Sequence, residues 1–541
     1  MSDPSPGAAG ILARGAKRGL AVEDFGPVWD GARLRLSRAG WLAAGLGPLL
    51  GMAVPYVSTS SGRLSADAVA AALAALPDRP GLRILELASG SGVFARLFLD
   101  ALRREAPEVY ARSTYVVTDG SEGILAAQAA HGILDTHPGR VERMRLDLTA
   151  DWPDLGRFDV ILATYALDSL PFDFLALNGA ATWRREVRAY LPEGQEATAD
   201  RLRAALAEGT EAALAPFFRL GPTLAHHTRH VPVDRAALPQ AAHLPDDTGG
   251  VTLPYVHSWG PLACLHSAAD RLTEGGVVIF SDYGHLVPYG PRDTPEFQGY
   301  GTSVAIGLNF PQIEAAFADR PGRTLFRPVE DDGHLYTRVL RRGDGPDLGP
   351  LVDDLYGALR YRALHATVDA ARQMLRGRLY EAARRYYGMA LERLPQDWAL
   401  MQEIAGLLHL AAGEPQDAAD MASLGLGLNP VSPELWRILA EARLELGDAE
   451  GARAAADRGV ALAPAHVAAQ TALARVALHQ QDHAAALRAV AEAFLHDTEG
   501  DSQDSLLAIQ AQVLASQARG QIRVLMASAN PFRALDTPPE E

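Results

Sequence analysis

Short apolar runs alternate with amphipathic stretches from residue 64 to residue 340. Residues 64–76 place Leu64, Ala68, Ala71, Ala72 and Ala75 at helical spacing and stop before Pro77. Residues 82–87 are a compact apolar run of strand length. Residues 93–104 then set Phe94, Leu97, Phe98, Ala101 and Leu102 on one helical face. The rhythm continues with predicted strands at 114–118, 141–146 and 158–163, a helix at 122–131, a helix at 261–272, a strand at 276–280, a helix at 310–317 and a final strand at 335–340. Such alternation implies parallel strand–helix–strand units and an α/β, doubly wound, Rossmann-like sheet.

Residues 172–257 break the rhythm. They read as an insertion, helical over 201–214 and otherwise loop-like, at the edge of the sheet where insertions shape ligand pockets. Residues 1–62 read as a Gly/Pro/Ala-rich lead-in, its first ten or so residues disordered and the rest packed on the core. Within it, residues 39–62 carry no charge, but Gly40, Gly45, Gly47, Pro48, Gly51 and Pro55 interrupt them, which predicts buried irregular chain and no membrane span. The α/β domain is expected over 63–342 and a linker over 343–350, where Gly and Pro crowd together. Residues 351–541 read as an all-helical repeat domain. Pro395, Pro430 and Pro464 are spaced by 35 and 34 residues, and Ala383, Ala418, Ala452 and Ala486 by 35, 34 and 34. Gly377, Gly413 and Gly447 fall between the paired helices. Trp398 and Trp436 lie near repeat starts, and 505–518 reads as a capping helix. This period resembles the tetratricopeptide repeat.

Composition narrows the setting. The 541 residues carry a net charge of −16, which argues against a nucleic-acid partner. The lone Cys264 lies in an apolar helical run, reads as a small buried hydrophobe, and excludes an internal disulfide framework. No basic-then-apolar leader opens the chain. A cytoplasmic location is expected.

The candidate chemistry begins at Glu86-Leu87-Ala88-Ser89-Gly90-Ser91-Gly92, between a strand and a helix, where glycines let a ligand approach the backbone. Asp119 ends the next strand, 27 residues past Gly92, and can accept both hydroxyls of a ribose. Asp147 ends the strand after that, where an adenine amino group can be met. The dinucleotide pattern is incomplete, with Ala95 at its third glycine position. A leading acid before a Gly-x-Gly turn resembles class I methyltransferases that use S-adenosylmethionine. More specifically, four stretches resemble the MidA-type methyltransferases, the family of a mitochondrial complex I assembly factor. They are residues 86–92, Thr118-Asp119-Gly120-Ser121 with Gln128 following, Ala166-Leu167-Asp168-Ser169-Leu170-Pro171, and Ser281-Asp282-Tyr283-Gly284-His285. Trp183 to Val187 and Asn309 to Ile313 also fall on comparable segments. Thr164-Tyr165 stands where the family has Asn-Glu, and the resemblance does not reach the repeats.

The resemblance implies S-adenosylmethionine as cofactor, with Glu86 near its methionine end, and protein arginine as one acceptor class. The cofactor set is then Glu86, Ala88, Gly90, Gly92, Asp119, Gly120, Asp147 and Leu148. Asp168, Asp282 and Tyr283 are the candidate catalytic residues, the two acids holding a cationic acceptor or taking its proton. The cluster His226-His227-x-x-His230 lacks a metalloprotease spacing and reads as an exposed loop, so no metal is expected. The expected function is methyl transfer to a protein side chain, with the substrate recruited by the repeats. Two alternatives stay open. One is a non-catalytic scaffold that keeps the fold, a reading favoured by Thr164-Tyr165. The other is a small-molecule methyltransferase that does not need residues 351–541.

Overall fold

A computed structural model describes residues 19–50, 60–246, 248–300, 303–318, 320–331, 335–410, 412–497 and 500–528. The predicted disordered start, and residues 51–59 of the uncharged segment, lie outside them. The described residues fall into two compact units, one made of residues up to 376 with 388–396, the other of 377–387 with 397 onward.

The first unit opens with strands β1 (Leu20–Ala21) and β2 (Gly26–Pro27) and helix α1 (Ala32–Ala44). Helix α2 (Gly62–Ala75) is capped by Ser61, whose side chain accepts from Leu64 N. Then come β3 (Arg83–Leu87), α3 (Val93–Glu105), β4 (Thr114–Asp119), α4 (Glu122–Ala130), β5 (Val141–Arg145) and β6 (Phe158–Thr164). After these follow β7 (Asp173–Asn178), β8 (Ala181–Leu191), α5 (Glu196–Glu208), β9 (Ala225–Pro232), β10 (Leu253–His257), α6 (Trp259–Asp270) and β11 (Leu272–Asp282). The unit continues through β12 (Gly284–His285), β13 (Gln298–Tyr300), β14 (Ser303–Ala305), β15 (Leu308–Asn309), α7 (Phe310–Ala318), β16 (Arg323–Phe326) and β17 (Tyr336–Arg342). Helices α8 (Gly349–Tyr356) and α9 (Ala358–Arg376) follow.

The central sheet has seven strands in the order β16-β17-β11-β6-β3-β4-β5. Strands β5, β4, β3, β6 and β11 run parallel, whereas β17 runs antiparallel to both β11 and β16, so the last predicted strand returns as half of a hairpin. Leu85, Leu87, Val116, Ile161, Val278 and Phe280 pack with α6 and α7 in one core, which includes the buried Cys264. On the other face Tyr115 meets Phe98 of α3, with ring centroids 5.5 Å apart. Helices on both faces make the sheet doubly wound, as its buried apolar runs predict.

The insertion is not mainly loop. It forms a second, antiparallel sheet in which β8 is joined by β1, β2, β7 and β9, with β10 on β7. The predicted His-rich loop is strand β9, paired residue by residue with β8 from Trp183↔Pro232 to Tyr190↔Ala225. Strand alternation puts His226 and His230 on one face and His227 on the other. No helix of the described residues is long and apolar enough to cross a membrane.

Helix α10 (Tyr380–Arg393) precedes the helices that make up most of the second unit: α11 (Trp398–Leu410), α12 (Pro415–Leu428), α13 (Pro433–Glu445), α14 (Ala449–Leu462), α15 (Val467–His479), α16 (His483–His496) and α17 (Gln503–Ser528). Alternate helices begin 34 or 35 residues apart, at 398, 433 and 467 and again at 415, 449 and 483. Gly413 and Gly447 take positive φ of 68° and 80° in the turns between α11 and α12 and between α13 and α14, as does Gln481 between α15 and α16 at 62°. Ala418, Ala452 and Ala486 are fully buried, which explains the small residue at each of these positions.

Candidate active site

Strands β3 and β6 lie side by side, although β4 and β5 extend the sheet to one side and β11 to the other. This is the reversal point at which ligands bind beyond the carboxyl ends of parallel strands. The turn after β3 is left-handed at Ala88, Gly90 and Gly92, with φ of 50°, 52° and 76°. At Gly92 a Cβ would stand 3.2 Å from Gln128 Cδ. Gln128 is fully buried and donates from Nε2 to Ser89 Oγ at 2.9 Å and Gly90 O at 2.7 Å, so one amide braces the whole turn. In the sequence it entered only as part of a family resemblance.

Asp119, at the end of β4, accepts from Gly90 N through Oδ2 at 3.2 Å and from Ser121 N through Oδ1 at 2.9 Å. Burial raises its pKa above the usual aspartate value, and the two amide bonds oppose that rise. Glu86, 4% exposed, accepts from the Tyr115 hydroxyl at 3.1 Å. Burial pushes its pKa up to about 8, the Tyr115 bond opposing the rise and the nearby Asp119 adding to it. Asp147 is exposed, and its Oδ1 holds Thr149 N and Oγ1 at 2.8 and 2.7 Å. Leu148 beside it packs on the core. The lead-in contributes to this region too. Ser121 Oγ donates to Leu42 O at 2.8 Å, a Cβ at Gly120 would stand 3.6 Å from Leu42 Cδ2, and one at Gly90 would stand 3.3 Å from Leu49 Cδ1.

The second half of the site follows β6 and β11. Asp282 has no exposed surface. Its Oδ2 accepts from Leu167 N and Asp168 N at 3.0 and 3.1 Å, and its Oδ1 accepts from Tyr283 N at 2.9 Å. These bonds tie the turn holding Asp168 to the end of β11. The pKa of Asp282 is nonetheless pushed up to about 7 by burial. Asp168 is 8% exposed. Burial, and then the adjacent Asp282, raise its pKa well above the usual range. Among the described residues, none of Glu86, Asp119, Asp168 and Asp282 forms an ion pair. Buried acids without a cation keep their protons, at the raised pKa values seen here, until a ligand brings positive charge to them.

Residues 66–300 match a protein family described as "Putative S-adenosyl-L-methionine-dependent methyltransferase". This segment is a methyltransferase domain. Its cofactor is S-adenosylmethionine, whose sulfonium and ammonium suit buried uncompensated acids and whose ribose and adenine suit Asp119 and the glycine turn. No curated protein matches the chain. Among solved structures, a COG1565 superfamily member from Burkholderia thailandensis, bound to S-adenosyl-homocysteine, is 18% identical over 64% of this chain and 96% of its own, with a TM-score of 0.37. An uncharacterized COG1565 superfamily protein from the same organism is 18% identical over 60% and 81%, with a TM-score of 0.35. The MamA protein is 18% identical over 29% of this chain and 94% of its own, with a TM-score of 0.24. At these scores none of the three carries function across.

Proposed function

We propose that the protein transfers the methyl group of S-adenosylmethionine to a cationic protein side chain of the arginine type, and that the helical unit is a tetratricopeptide-like array that recruits the protein bearing it. The observation that carries this reading is the set of four buried carboxyls that have no cationic partner among the described residues. Glu86 faces the methionine end of the cofactor, Asp119 grips the ribose, and Asp147 and Leu148 border the adenine. Ala88, Gly90, Gly92 and Gly120 let the backbone come close. When bound, the cofactor supplies an electrophilic methyl group on a sulfonium. Asp168 holds the acceptor, whose positive charge keeps that carboxyl ionised, and takes the proton the nitrogen sheds. Asp282 fixes the Asp168 turn, and Tyr283 walls the acceptor side. Positioning of this kind can contribute several kcal/mol to an in-line displacement, on the order of 7 or more in the best cases. The net charge of −16 suits a basic protein partner. A cytoplasmic setting suits the lone buried thiol of Cys264.

Incubating the full chain with methyl-labelled S-adenosylmethionine and a lysate of its source cells tests this. The expected result is label in a protein band, recovered as methylarginine and lost with Asp119→Ala. Label only in small molecules, undiminished when residues 351–541 are deleted, supports a metabolite acceptor instead. Absence of cofactor binding at millimolar concentration supports a scaffold that has kept the fold alone.

A further inference from the structure

Tyr165 follows β6 with a φ of 50°, a left-handed backbone that a bulky side chain rarely adopts. Strained positions of this kind persist where the surroundings over-determine them, and they cluster at functional sites. Its location is set by strand register. Leu87 of β3 is level with Ala163, and Ser281 of β11 is level with Thr164. Continuing that register puts Tyr165 level with Ser89 of the glycine turn on one side and with Asp282 on the other. Its amide donates to Ser281 O at 2.9 Å, which clamps the strained residue to β11. Tyr165 therefore stands at the crevice between β3 and β6, between the cofactor turn and the turn that carries Asp168. Its ring is half-buried and lies 6.0 Å from the ring of Tyr283, the planes inclined by 31°.

We propose that Tyr165 is an acceptor-binding residue: its ring, braced by the neighbouring ring of Tyr283, stacks on the flat cationic group that Asp168 holds, and so selects guanidinium over neutral acceptors of the same shape. The proposal rests on the methyl-transfer reading above. An aromatic face attracts a guanidinium through its quadrupole, and the attraction strengthens where water is excluded. The left-handed backbone ends the side-chain alternation of β6 at this residue, so the Tyr165 side chain does not have to follow it. Tyr165 thus supplies what the departure from Asn-Glu at 164–165 otherwise leaves unexplained: a neutral aromatic contact at the acceptor, with the charge provided by Asp168.

The test uses the full chain saturated with S-adenosyl-homocysteine and titrated with acetyl-arginine-amide, followed by saturation-transfer NMR. Acetyl-citrulline-amide serves as the neutral isostere. Tyr165→Phe should bind the arginine probe within about threefold of the unsubstituted protein, because the ring remains. Tyr165→Asn, a residue that tolerates the left-handed region, should bind it about tenfold more weakly. In both variants calorimetry should give an unchanged affinity for S-adenosyl-homocysteine, which also shows that the site is folded. The citrulline probe should bind the unsubstituted protein about tenfold more weakly than the arginine probe. Equal arginine affinity in Tyr165→Asn and the unsubstituted protein would overturn the proposal, as would equal affinity for the two probes or no arginine binding to a complex that holds S-adenosyl-homocysteine. Failure of S-adenosyl-homocysteine to bind at all overturns the methyl-transfer reading beneath it.

Discussion

In the helical unit Arg437 is buried, yet its guanidinium donates to Glu434 at 2.8 and 2.6 Å and to Glu441 at 2.5 Å. Burial works against its charge, but the two carboxylates prevail and hold its pKa above the ordinary value. At the carboxyl edge of the α/β sheet, Glu86, Asp119 and Asp282 are as deeply buried and accept from backbone amides or a tyrosine hydroxyl, and among the described residues neither they nor the buried Asp168 pair with a cation. Burial raises the pKa of all four. A fold that needs buried charge only for stability pairs it. A fold that leaves acids unpaired beside a ligand crevice is holding a place for positive charge from outside.

This contrast makes the two regions respond differently to substitution. Arg437→Met takes the guanidinium from Glu434, although Glu441 keeps Arg475 at 3.2 Å, and should cost the helical unit about 2 kcal/mol in chemical denaturation, with cofactor affinity untouched. Asp119→Asn should act mainly on the ligand, lowering S-adenosylmethionine affinity by about thirtyfold, the worth of a charge-assisted bond, while costing the cofactor-free fold only about 1 kcal/mol, because its amide nitrogen cannot accept from both Gly90 N and Ser121 N as the carboxyl does. A stability loss on Asp119→Asn as large as that of Arg437→Met, with cofactor affinity unchanged, would erase the distinction. Gln128→Ala leaves Ser89 Oγ and Gly90 O without their donor and should cost about 1 kcal/mol of stability and a few-fold in cofactor affinity, both read in one ligand-dependent melting series.

Glu86 sharpens the comparison through pH. Its folded pKa of about 8 lies above its ordinary 4.5, so the folded state keeps a proton that the unfolded chain gives up. That contribution to stability is complete below about 4.5 and fades as the pH climbs through 8. Glu86→Gln should flatten this part of the stability–pH curve in cofactor-free protein. A curve of unchanged slope would show that Glu86 is already ionised at neutrality.

The central sheet is legible because β6 and its neighbours are apolar along their length, Phe158, Val160, Ile161 and Leu162 being almost wholly buried. The second sheet is not. Strands β8 and β9 carry Arg184, Arg185, Arg188 and Arg229 where aliphatic residues would announce a strand, and arginine guanidiniums lie over aromatic rings in their place. Arg229 sits 4.3 Å from the Phe25 ring centroid and Arg185 4.7 Å from that of Phe174. The site shows the same division. Glu86, Asp119 and Asp147 are readable from their places at or near strand ends. Tyr165 is not, because residue type alone gives no sign that a tyrosine will be left-handed. Leu49 reaches the glycine turn, and Leu42 the Gly120–Ser121 turn after β4, from a lead-in that carries little periodicity.

The most direct test of the claim that the buried acids await a cationic ligand is calorimetric titration of S-adenosylmethionine at pH 7 in two buffers of different ionisation enthalpy. Glu86 starts protonated and the positive end of the cofactor favours its carboxylate, so binding should release about one proton, and Glu86→Gln should abolish that release. No heat up to millimolar cofactor, or tight binding with the same enthalpy in both buffers, would contradict it.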